Sequence, residues 1–138
     1  MANDPNDPSS WMRFVKADLV MAQRAMDERE PYPEMACYHA QQAAEKALKA
    51  LLVAKGSEFA RTHSLVYLIR LVAETGHEDV LELMDAAATL QQYAAPARYP
   101  TGETVLPDEA DATLAIGQAR TIVDFVQPKL GNPNNGGN

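Results

Sequence analysis

Four side chains able to hold or orient an anion stand at helical spacing in the first half of this chain. His39, Gln42, Lys46 and Lys49 lie at offsets of 0, 3, 7 and 10. At 3.6 residues per turn, residues so spaced share one stripe of a helix. Arg61 and His63 follow a short way on, and Arg98-Tyr99 comes later. Lysines act on phosphate as point charges, an arginine offers a planar fork of donors, and a tyrosine ring offers a face to a base. The candidate ligand-binding set is therefore Gln42, Lys46, Lys49, Arg61, His63, Arg98 and Tyr99, and the chemistry it suits is recognition of a phosphate-bearing ligand. Plainer roles fit the same residues. The lysines can form a solvated face with i,i+4 partners, His63 can cap or pack beside a helix start, and Tyr99 before Pro100 can plug a loop onto a bundle.

Charge narrows the choice. The chain has 138 residues, 19 acidic and 12 basic, for a net charge of −7. That excludes a broad coat of nucleic acid or anionic lipid, since both need a cationic surface. The charge is uneven, however. Glu74 to Asp111 holds nine acids and one base, Arg98, whereas Met35 to His63 holds Lys46, Lys49, Lys55 and Arg61 against Glu45 and Glu58. A small, discrete anion site is compatible with that second segment. Three histidines, one cysteine and scattered acids make no metal-ligand pattern, and neither a phosphate-cradling glycine loop nor a serine nucleophile elbow occurs, so no metal or cofactor is expected. Cys37 is the single cysteine and cannot form an internal disulfide, which favours a cytoplasmic location. The longest nearly apolar stretch, Ala47 to Ala54, is broken by Lys49 and is too short for a bilayer, so no membrane association is expected.

The elements that must position these residues are all helical. Trp11, Val15, Leu19, Ala22 and Met26 predict a first helix over about Ser10 to Asp27, with Ser9 or Ser10 as its cap. A second helix is predicted over about Pro33 to Lys55, ending at Gly56, with Ala36, Ala40, Ala43, Ala47, Leu51 and Ala54 as its buried stripe. Thr62 or Ser64 is placed to cap a third, which carries Leu65, Leu68, Ile69 and Val72 and stops at Thr75-Gly76. Val80, Met84, Ala87, Leu90 and Ala94 predict a fourth, ended by Pro96. A longer loop over residues 95–107 leads to the last, which starts near Asp108 with Asp111 in a capping arrangement and ends at Pro128. No segment alternates as a strand does. The expected fold is all-α, an up-and-down antiparallel bundle of four to five helices of about three turns or more, over residues 10–128. Residues 1–9 and 129–138 lie outside it and are expected to be disordered.

The run Cys37-Tyr38-His39-Ala40-Gln41-Gln42-Ala43-Ala44-Glu45-Lys46-Ala47-Leu48-Lys49-Ala50-Leu51-Leu52 resembles the signature helix of the HEPN domain family (higher eukaryotes and prokaryotes nucleotide-binding domain). Three further pieces are similar to that family in the same order. They are the tryptophan helix from Trp11 to Asp18-Leu19, the step Arg61-Thr62-His63-Ser64-Leu65, and the loop Ala97-Arg98-Tyr99-Pro100. The resemblance covers about residues 10–127. It implies a helical bundle that forms a homodimer in the prokaryotic cytoplasm, beside a minimal nucleotidyltransferase and in some cases as a toxin–antitoxin pair. It also implies a nucleotide or RNA ligand. Many such proteins are metal-independent ribonucleases built on an arginine, four to six residues, then a histidine. Only Arg70 and His77 fit that spacing, Leu71 stands where the motif has a polar residue, and Gly76 ends the helix before His77. The reading is a nucleotide- or RNA-binding accessory protein. The alternatives are a ribonuclease, with His63, Arg70 and His77 as candidate catalytic residues, and a structural module that docks a partner.

Overall fold

A computed structural model of the chain describes residues 3–95 and 105–131. Its axis is α2, Pro33–Ala54. α2 is buried on nearly every side, including Ala36, Ala40, Ala43, Ala44, Ala47 and Ala50. Alanines keep the helix thin, so neighbours approach it closely on more than one face. α1, Pro8–Arg24, and α5, Glu109–Val126, flank it, and they touch each other far less than either touches α2. Trp11 and Phe14 lie near Lys49 and Lys46, whereas Asp18 reaches back to His39, so α1 and α2 run antiparallel. α3, Leu65–Glu74, and α4, Met84–Leu90, close the core, where Leu48, Leu51, Leu52, Leu68, Ile69, Leu90 and Ile122 are fully buried. Among the described residues the fold is all-α, without strands.

Several local expectations are met. Gly56 stands at φ 68°, just past the end of α2. The Ser57 N–H donates to the Leu52 carbonyl and the Gly56 N–H to the Val53 carbonyl, each at 3.0 Å, which is a complete Schellman stop. Ser64 Oγ accepts from the Tyr67 N–H at 3.2 Å and caps α3. Asp108 and Asp111 form a reciprocal capping box at the start of α5.

Four expectations need correction. Asp7, not Ser9 or Ser10, caps α1, with its Oδ1 accepting the Ser9 N–H at 2.9 Å. Pro8 occupies the first turn, where its fixed φ suits the helix and its missing N–H costs nothing. The buried stripe of α1 includes Ser10 and Asp18, while Trp11, Leu19 and Met26 are only partly covered. Ala54 is exposed. The fourth helix is not continuous: 3₁₀ turns at Glu78–Leu83 and Gln91–Tyr93 bracket an α4 of only 7 residues. Val80 and Leu83, then Met84, Ala87 and Leu90, recur at a spacing of three, which 3₁₀ turns align at least as well as an α-helix does.

Candidate functional site

Two carboxylates organise the polar side of α2. Asp18 arrives from α1 at a position that helical spacing assigns to the apolar face, three residues after Val15 and four before Ala22. Its Oδ1 accepts the His39 Nδ1–H at 2.9 Å, and its Oδ2 accepts from Lys46 Nζ at 2.6 Å. Glu45, on α2 itself, repeats the arrangement. Its Oε1 accepts the His63 Nδ1–H at 2.9 Å, and its Oε2 accepts from Lys49 Nζ at 3.0 Å. Each carboxylate is nearly closed to solvent and each holds one lysine and one histidine. Buried charges are tolerable only when paired and hydrogen-bonded in this way.

The second cluster is tied into the connector that the Schellman stop sends back over α2. Lys49 Nζ also donates to the Thr62 carbonyl at 3.0 Å. Gln41 Nε2 donates to the His63 carbonyl at 3.1 Å and to Glu45 Oε1 at 3.3 Å, while Gln41 Oε1 accepts from Gln42 Nε2 at 2.7 Å. Trp11 and Phe59 meet edge to face at 6.3 Å, and Lys49 Nζ lies 6.0 Å and 5.8 Å from their ring centres. This lysine is enclosed by two aromatic faces, a carboxylate and a carbonyl.

The predicted site residues therefore divide. Gln42, Lys46 and Lys49 share the stripe with His39, but the cationic surface that counting charges suggests is largely neutralised by Asp18 and Glu45. Lys49 is buried, Lys46 is a quarter exposed, and Gln42 supports Gln41. Arg61 is exposed, and the His63 side chain is 67% exposed. Arg98 and Tyr99 lie outside the described residues. Arg70 is exposed on α3, whereas His77 follows the end of that helix, beyond Gly76 at φ 105°. His77 Nε2 is buried without a hydrogen-bond partner among the described residues. Charge counting passed over Asp18 and the aromatic residues Trp11, Phe14 and Phe59. A carboxylate on an otherwise apolar helix face was the available signal for Asp18.

Because a carboxylate only accepts, both histidines present Nδ1–H inward and keep Nε2 for another partner. Near the Asp18 cluster, Trp11, Phe14, Ser10 and Lys46 line a shallow groove of about 280 Å³. No group of three or more potential metal ligands is assembled among the described residues. No described helix is long and apolar enough to cross a membrane.

The family model of the HEPN domain matches residues 9–129, which takes in α1 from its second residue and the whole of α2 to α5. This chain belongs to the HEPN domain family. The crystal structure of an archaeal HEPN homologue aligns with it at a TM-score of 0.72 and 29% sequence identity, covering 90% of this chain and 98% of that one. No curated protein matches the chain. Within the HEPN domain, the described part of the candidate site sits on α1, α2 and residues 57–64, while Arg70 lies on α3 and His77 between α3 and the 3₁₀ turn that starts at Glu78.

Proposed function

We propose that this HEPN protein binds a nucleotide or an RNA phosphate, as a homodimeric accessory to a nucleotidyltransferase-type partner. The face concerned joins the start of α1, the middle of α2 and residues 57–64. The observation that carries the reading is the Glu45–His63 pair: the buried carboxylate fixes the imidazole through Nδ1 and leaves the ring largely in solvent, two residues from exposed Arg61. Donor counting assigns the lysines different tasks. An ammonium has three N–H groups. Asp18 takes one from Lys46, which keeps two and remains partly exposed; Glu45 and the Thr62 carbonyl take two from Lys49, which is buried. Lys46 and Arg61 are thus the phosphate contacts, and Lys49 and Gln42 hold the scaffold. Phe14, 45% exposed beside Trp11, supplies a stacking face for a base. Arg98 and Tyr99 complete the set in this reading.

The test is titration of the purified protein with ATP and with short RNAs at two salt concentrations. Binding that weakens with salt and falls in Lys46→Ala and Arg61→Ala supports the site. Absence of binding, or binding indifferent to both substitutions, removes it.

The same pair of residues favours a second reading, a metal-independent ribonuclease and hence the toxin of a toxin–antitoxin pair. His63 Nε2 would take the 2′-hydroxyl proton as that oxygen attacks phosphorus and the P–O5′ bond breaks, the 5′-oxygen leaving with a proton from water, and Arg61 would offset the charge developing on the phosphoryl oxygens. RNA cleavage in EDTA that is lost in His63→Ala would favour it over the accessory role. Intact RNA under those conditions decides for binding alone.

A further inference from the structure

On the flank of α1 that faces α5, a groove of about 560 Å³ runs between the two helices. It is separate from the groove beside Asp18 and Lys46, with which it shares no lining residue. Met12, Leu19 and Val20 give it its accessible apolar lining, and Lys16, Arg24 and Arg120 stand along it. None of its described lining residues is acidic. That is unusual for a chain in which 19 acids outnumber 12 bases. All three cations are exposed, as is Val20 at 39%.

We infer that this groove receives an acidic amphipathic helix from a partner protein. Three features select that occupant. The cations alone would serve a phosphate backbone as well, but such a backbone would leave the apolar strip between them in water, whereas an apolar side-chain ridge covers it. The cations flank the floor instead of covering it, so a guest needs an apolar ridge bordered by carboxylates. The length also fits: from Met12 to Arg24, α1 rises about 18 Å, room for about 12 residues of a docked helix. Such a guest would set leucines at i, i+4, i+7 and i+11 along Met12, Leu19 and Val20, with Glu or Asp beside them toward Lys16, Arg24 and Arg120.

The probe is a fluorescein-labelled amphipathic peptide of that pattern, with leucines on one face and glutamates on its borders, titrated with the full chain. A peptide of the same composition in scrambled order is the control. The expected result is saturable binding of the patterned peptide only, weakened about tenfold in Arg120→Glu and in Lys16→Glu, and unchanged in Lys46→Ala. Equal binding of the scrambled peptide, no binding, or displacement by short RNA overturns the inference. So does a homodimer by light scattering that Arg120→Glu converts to monomer, because the groove would then be filled by a second copy of this chain. Loss of ATP binding in Lys46→Ala with the peptide still bound separates this surface from the phosphate site.

Discussion

Asp18 Oδ2 lies 2.6 Å from Lys46 Nζ although 28 residues separate the two in the chain. The contact fastens α1 to α2 and removes one of the charges that a local count assigns to the surface. Asp18→Ala leaves the ammonium partly buried without its counter-ion. Because Lys46 can still turn toward water, the expected loss is about 2 kcal/mol. Urea unfolding should show a lower midpoint with an unchanged slope. Adding Lys46→Met should recover part of the loss, since the stranded charge is then gone.

Glu45→Gln should cost more. Three donors converge on that carboxylate, from Gln41, His63 and Lys49. A glutamine offers one acceptor oxygen in place of two and adds donors facing donors. With Lys49 buried, about 3 kcal/mol is expected, again by urea unfolding. In the imidazole NMR spectrum, the His63 Nδ1 proton should lose its protection from exchange while that of His39 keeps it.

Gly56→Ala isolates a backbone effect. A Cβ there meets nothing within 4 Å, so no clash contributes. The cost is holding an L-residue at φ +68°, about 1 kcal/mol. Because the stop aims residues 57–64 over α2, the proposed binding of ATP through Arg61 should weaken along with the melting temperature.

Alkaline pH should unfold the protein through two neighbouring groups. Burial pushes the Cys37 thiol up from 9.0 to about 11, and burial also pushes the Tyr93 phenol up from 10.0 to about 12. Both are therefore kept neutral in the fold and ionise more readily in the unfolded chain. The stability they confer is complete below pH about 9 and is lost as pH climbs through 9 to 12. Circular dichroism against pH checks this, and Cys37→Ala should flatten the lower part of the decline. At pH 8 a thiol reagent should label Cys37 slowly in buffer and fast in urea.

The helices were legible because their signals are local. Gly56, Ser64 and the Asp108/Asp111 pair act within a few residues, and α2 announces itself by the helical spacing of Ala36, Ala40, Ala43, Ala47 and Leu51. The division of the fourth helix was not legible, since a spacing of three over Val80 to Leu90 satisfies both periods. The site was half legible. The stripe His39, Gln42, Lys46, Lys49 follows from helix geometry alone. Its neutralisation does not, because Asp18 belongs to another helix and only packing brings it across. Local charge counts fail wherever a counter-ion comes from a distant part of the chain.

α2 is wrapped by the rest of its own chain, with only Tyr38, His39 and Lys46 partly uncovered between Ala36 and Leu52. The run by which the family resemblance is recognised is thus largely sealed from any other molecule. Within that run Lys46 is the one lysine left partly open to a partner molecule, so substitutions elsewhere in it would be felt first by the packing of this chain.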